Sequence, residues 1–148
     1  MRNRKRNNEL IMWADKALHE SESTILKDNE KILDSYNGLI AAFSVSVAMS
    51  GLLPTLAGYY KKSDNANTER RPILDIIAYM IQHDEKANSY IRNEVTSAKT
   101  LLQLAVKLSS QAADNNELPD LRCLEREVID CAIALKQVVR TYNLVEKL

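Results

Sequence analysis

Apolar residues recur along most of this chain at helical spacing. Leu10, Ala14, Ala17 and Leu18 form one stripe and predict a first helix from about Asn7 to Ser21. Residues 22–34 mix charges with Ile25, Leu26, Ile32 and Leu33, and read as a loop that dips into the core, with Asp34 or Ser35 as the N-cap of the next helix. Pro72 suits the first turn of a helix running to about Gln82, with Ile73, Ile76, Ile77, Met80 and Ile81 on its inner side. After a break near His83–Asn88, a long helix is expected over 87–113. Its stripe is Ile91, Val95, Ala98, Leu102, Ala105, Ser109 and Ala112, widened by Leu101 and Leu108, and Asp114-Asn115-Asn116 ends it. Pro119 opens the last helix, where Leu121, Leu124, Val128, Cys131, Leu135, Val138, Tyr142 and Val145 keep heptad spacing. No strand–helix alternation or repeat is visible. The expectation is an all-α, single-domain bundle of five to six helices over residues 1–148.

One stretch departs from amphipathic patterning. Residues 35–60 contain no charged side chain, and Lys61 and Lys62 come directly after them. Twenty-six residues can span a bilayer. Yet the segment holds Ser35, Asn37, Ser44, Ser46, Ser50, Thr55, three glycines and Pro54, and the flanking amphipathic helices need an apolar partner. It therefore reads as a central helix buried on nearly all sides, with a single-pass membrane span as the alternative. Pro54 cannot donate to the carbonyl of Ser50, so a kink or restart is expected near Gly51–Pro54. Small residues such as Ala41, Ala42, Ala48 and Gly51 would let neighbouring backbones approach. Residues 61–71 are polar and read as a loop.

Composition narrows the chemistry. The 148 residues carry 20 basic and 20 acidic groups, so a uniformly basic nucleic-acid binder is excluded. Two cysteines, eight residues apart on one predicted helix, give no disulfide framework. The apolar run after the basic tip, Leu10 to Ala14, is too short for a signal peptide, so a cytoplasmic protein is expected. His83-Asp84, with His19 and one of Asp114, Asp120 or Asp130, could complete the H…HD…D pattern of helical metal-dependent phosphohydrolases. The other reading gives His83 to the last turn of a helix and Asp84 to the cap of the next. That structural reading is preferred, and no catalytic residue, metal or cofactor is assigned.

The cations are grouped. Residues 1–6 hold four basic groups and no acid, a tip expected to be flexible, while the other 142 residues are net −4. The electrostatic candidates for binding a polyanion are Arg4, Lys5 and Arg6 of the tip, Lys61 and Lys62, Arg70 and Arg71, and Lys136, Arg140 and Lys147. The last three lie near one azimuth of the final helix.

Tyr36-Asn37-Gly38 and Ala42-Phe43-Ser44 lead into Met49-Ser50-Gly51-Leu52-Leu53-Pro54-Thr55-Leu56-Ala57-Gly58-Tyr59-Tyr60. This run resembles the signature helix of the small α-helical subunit of the type III-B CRISPR effector, the Cmr (RAMP module) complex. Gly51, Leu52, Leu53, Pro54, Thr55, Leu56 and Tyr59 carry the likeness. Gly58 departs from it, since the family usually has Phe there. Arg122, Arg126, Glu127, Leu135 and Lys136 match the spacing of the family's last helix. The resemblance implies a non-catalytic subunit in antiviral defence. Such subunits stack into a short filament beside the backbone subunits, touch the large subunit at one end, and help hold guide RNA and target RNA while other subunits cut.

Overall fold

Ile73, Leu74, Ile76, Ile77, Met80 and Ile81 are all fully buried, and together they make one short helix the centre of the molecule. The computed structural model describes residues 4–20, 25–27, 31–61, 70–115 and 119–146. In chain order the elements are α1 (Arg4–Glu20), β1 (Leu26–Lys27), β2 (Lys31–Leu33), α2 (Asp34–Ser50), α3 (Leu52–Tyr60), α4 (Arg71–His83), α5 (Ser89–Glu94), α6 (Ala98–Asn115), α7 (Pro119–Val139) and β3 (Asn143–Val145). The all-α expectation holds, with seven helices among the described residues rather than five or six.

The central helix is α4, not the 35–60 segment. Beyond Arg71 at its start, only Asp75, Tyr79, Gln82 and His83 face outward along its length, and α1, α3, α5, α6 and α7 pack around the rest. The stripe expected on α1 is the one observed, with Leu10, Ala14, Ala17 and Leu18 all buried. Helix α1 starts at Arg4, so three residues of the expected flexible tip are helical. The remainder of the tip, residues 1–3, lies outside the described residues.

The 35–60 segment is two helices that bury one face. Tyr36, Ile40, Phe43 and Val47 of α2 point inward, while Val45 is 55% exposed and Met49 83% exposed. The small residues Ala42, Ala48 and Ser50 also face outward, so they do not serve helix packing within this chain. The restart expected near Gly51–Pro54 is at Gly51, which joins the two helices alone at φ 94° and ψ 162°, a conformation almost confined to glycine. Gly51 is needed for that backbone and not for close packing, because a Cβ there would meet only Pro54 Cδ at 3.7 Å. Pro54 stands in the first turn of α3, where a missing N–H leaves no intrahelical bond unmade. Helix α3 then folds back along α2. Tyr59 donates to the Leu39 carbonyl at 2.7 Å and packs edge-on against Phe43. Thr55 donates to the Gly51 carbonyl and accepts from Ser46, both at 2.9 Å. No helix among the described residues is long and apolar enough to cross a membrane.

Periodicity misled at three further places. The expected helix over 87–113 is broken into α5 and α6 around Val95–Ser97. Thr100 Oγ1 accepts from the amides of Thr96 and Ser97, and Ser97 Oγ accepts from Thr100 N, a reciprocal cap that starts a new helix. The buried stripe Ile91, Val95, Ala98, Leu101, Leu104, Ala105 and Leu108 runs straight across the break. The last helix stops at Val139 rather than continuing through Val145. Thr141 turns the chain, its amide and hydroxyl both donating to the Val138 carbonyl. Residues 143–145 then pair in parallel with 31–33, and 26–27 pair antiparallel with 31–32, making a small sheet of order β1-β2-β3. The loop expected over 22–34 does dip into the core, at Ile25 directly before β1 and at Ile32 within β2. Strand β2 runs directly into α2, so Leu33 stands at the cap and Asp34 meets the helix dipole from the first turn.

Gly51→Ala should destabilise the fold by about 1–3 kcal/mol through backbone strain alone. Gly38→Ala and Gly58→Ala, on exposed helical positions with open space around them, should be neutral or stabilising by up to about 1 kcal/mol. Urea denaturation of the three variants checks the contrast; an equal cost at all three would mean that Gly51 is not conformationally required.

Candidate nucleic-acid interface

The end of α3 and the start of α4 bring three of the candidate cations together. Lys61 closes α3, its amide donating to the Ala57 carbonyl at 3.1 Å, and its side chain is exposed. Arg70, also exposed, lies with its guanidinium 5.6 Å from the centre of the Tyr59 ring. Arg71 donates from Nε and Nη2 to the Tyr60 carbonyl at 3.0 and 2.8 Å, and stacks 3.9 Å over the Tyr60 ring. A cation at the C-terminus of α3 is favoured by the unsatisfied carbonyls there. Burial raises the Tyr59 pKa despite Arg70. Lys62 lies outside the described residues. Tyr60 is part of this patch and was not singled out from sequence; an aromatic pair directly before two lysines was the available signal.

A second group lies at the end of α7. Lys136 is half-buried, and Arg140, just past the helix, is exposed with its amide on the Lys136 carbonyl at 3.4 Å. The stripe expected to reach Lys147 does not continue as a helix, because the chain turns after Val139, and Lys147 lies outside the described residues.

The N-terminal cations divide. Lys5 is exposed, and the side chain of Arg4 lies outside the described residues. Arg6 turns inward to Asp84 at 2.8 Å, to Glu127, and to Asp130 at 3.9 Å. Its position is structural, unlike the surface role expected of it. Burial alone would lower the Arg6 pKa, but Glu127 and Asp84 carry it above its ordinary value. Glu127 is raised, by burial first, with Asp84 and Asp130 adding to it and Arg6 opposing. One guanidinium thus holds three carboxylates from two parts of the chain.

The His83–Asp84 pair is pulled apart by these contacts. Asp84 faces Arg6, and its Oδ1 also accepts from the Lys86 amide at 3.0 Å. It caps that turn rather than α5, whose cap is Asn88, accepting from the amides of Tyr90 and Ile91. His83 donates from Nδ1 to the Tyr79 carbonyl at 2.9 Å and stacks on Tyr79, with ring centres 4.1 Å apart. His19 sits on α1 against Asp15 and Tyr142. Asp120 is exposed in the first turn of α7, and the side chain of Asp114 lies outside the described residues. Among the described residues no group of three or more His, Cys, Asp or Glu side chains is placed to hold a metal ion. Cys123 is half-buried and Cys131 fully buried, both thiols raised by burial.

The exposed face of α2 and α3 has the opposite character. Ser35, Gly38, Ala42, Val45, Ala48, Met49, Ser50, Pro54, Ala57 and Gly58 are all exposed and none is charged. The chain is therefore a small helical domain whose described surface carries grouped cations at the α3–α4 junction and at the end of α7, exposed carboxylates such as Asp15, Asp75 and Glu94 elsewhere, and an uncharged, partly apolar face on α2 and α3 beyond Asp34. The family model described as CRISPR-associated protein (Cas_Cmr5) matches residues 12–142. The chain belongs to that family, the small subunit of the type III-B Cmr effector, as the run from Gly51 to Tyr59 led one to expect. No match is found among curated proteins or among solved structures.

Arg6→Met should cost about 3 kcal/mol at pH 7, because it leaves three carboxylates facing one another. Glu127 in the folded chain titrates above its ordinary 4.5, so its charged form opposes folding at neutral pH. That opposition disappears as pH falls through the folded pKa, and without Arg6 the window moves higher. The deficit of the variant should therefore shrink between pH 7 and pH 5 in paired denaturation curves. A deficit independent of pH would reduce the role of Arg6 to packing.

Proposed function

We propose that this protein is a non-catalytic small subunit of a type III-B CRISPR ribonucleoprotein effector in the cytoplasm. It stacks with copies of itself in a short filament beside the backbone subunits, touches the large subunit, and helps hold guide RNA and target RNA in antiviral defence. The observation that carries this reading is the contrast between the grouped cations at the α3–α4 junction and the end of α7 and the uncharged α2–α3 face. Cations outside the core suit phosphates, which are bound by charge without reading bases. The uncharged α2–α3 face suits a protein neighbour, because apolar area is stabilised by removal from water and an RNA backbone would find no cation there. The engagement of His83 and Asp84 with structural partners favours a supporting rather than a catalytic role.

A few phosphate contacts give little affinity at physiological salt, so strong binding belongs to the assembled filament, where copies add their contacts. Replacing Lys136 and Arg140 with Ala should remove about two contacts per copy. On single-stranded RNA the log–log salt slope of the assembled complex should fall by about 1.4 per copy, from about 0.7 per contact. The loss should be alike for any RNA sequence. An unchanged slope in a normally assembled complex would move the RNA surface to Lys61, Arg70 and Arg71.

Val45→Asp, on the uncharged face, should leave the helical circular dichroism and thermal midpoint of the isolated chain unchanged, since Val45 is largely exposed. The same change should lower incorporation into the complex, read by co-purification with the other subunits. Normal incorporation would remove this face from the assembly surface.

A further inference from the structure

Trp13, Tyr79 and His83 form an aromatic group where α1 meets the outer side of α4. The Tyr79 and His83 rings are stacked with centres 4.1 Å apart at 24°. The Trp13 ring lies 5.5 Å from His83 at 36°. The His83 ring plane is held by its Nδ1 bond to the Tyr79 carbonyl. All three residues are half-buried, neither closed into the core nor fully exposed. Lys16, exposed one turn along α1, places its ammonium 5.0 Å from the centre of the Trp13 ring. Nearby, Lys86 reaches Glu9 at 2.8 Å, so the carboxylate closest in sequence on this side of α1 already faces a cation.

We propose that Trp13, Tyr79 and His83 form a stacking platform for an unpaired RNA base, with Lys16 beside it for the adjoining phosphate. The proposal rests on the RNA-holding role above and adds to it a site that recognises bases as planar rings. Two features select this ligand. Aromatic rings held by packing bind any base through its π-face, without sequence preference. A cationic peptide side chain, the other common partner of an aromatic surface, would meet the ammonium of Lys16 at the ring; a nucleotide offers both a ring and a negative charge. The His83 ring thereby has a use that needs neither metal nor proton transfer.

Trp13 is the chain's one tryptophan, so its fluorescence reports the site directly. The experiment titrates the isolated full chain at low salt with a short fluorophore-labelled oligoadenylate, and with an abasic oligonucleotide of equal length and charge. Label anisotropy reports binding, and Trp13 emission reports stacking. Oligoadenylate should quench Trp13 and shift the Tyr79 and His83 ring protons, while the abasic strand should leave them unchanged. Trp13→Leu and Tyr79→Leu, which keep apolar volume and are checked for native helicity, should each weaken oligoadenylate binding about 5- to 150-fold. The ring-proton shifts of the unmodified chain keep the test decisive if either variant fails to fold. Binding without quenching or ring shifts, or equal quenching by the abasic strand, would overturn the platform and leave the phosphate-holding role standing. Quenching by the partner subunits in the absence of RNA would make this a protein contact and overturn it as well. No binding of either strand would also overturn the platform, while the RNA-holding role is judged separately by the salt slope of the assembled complex.

Discussion

Everything in this molecule is arranged around the need to cover α4. Eight of its thirteen residues are buried, and six of those are large aliphatic side chains. Each such side chain is stabilised by about 1.5–3 kcal/mol when taken out of water. A helix that apolar leaves only a narrow strip for solvent, so α1, α3, α6 and α7 must lie around it. The strip left over, Asp75, Tyr79, Gln82 and His83, is where polar and aromatic side chains appear. Asp75 accepts from the Ala98 amide at the start of α6, and His83 meets Trp13 of α1.

The covering of α4 also explains the form of the signature segment. Helix α3 must lie against α4 and α6 while α2 lies against α7. A single residue joins the two, and only glycine readily takes the backbone angles of that joint. The hydroxyls of Ser46, Thr55 and Tyr59 then tie the returning helix to the outgoing one. What remains outside, beyond Asp34 in the first turn of α2, is a face without charge. The same residues thus serve the fold with one side and present an uncharged surface with the other. Gly58 stands on that surface with nothing around it, so a Phe at this place, as the family usually has, would add to the exposed face rather than to the core.

Electrostatics fastens the chain's start to its end. Arg6 of α1, Asp84 after α4, and Glu127 and Asp130 of α7 are far apart in sequence and meet at the edge of the core. Coulomb attraction between partly buried groups is strong, yet desolvation offsets much of it. The raised pKa of Glu127 marks that cost. The cluster ties the N-terminal helix to α7 and to the end of α4, and losing one partner costs more than the intact cluster contributes.

The helical character was legible because burial on one side of a helix repeats every three to four residues. The stripes of α1, α4 and α7, the Pro72 and Pro119 starts and the restart at Gly51 all come from local rules of spacing and backbone freedom. The family was legible in the Gly51–Tyr59 run, since its residues answer to a specific geometry. Tertiary structure alone decided which helix would be central: a segment free of charge and one rich in isoleucine look equally buriable until neighbours are placed. It also decided that residues 143–145 pair with 31–33, because strand pairing between distant segments leaves no period along the chain. For the same reason Arg6 left the surface and His83 left Asp84. A side chain's partner is set by what the fold brings within a few ångströms, and sequence neighbours have no claim on it.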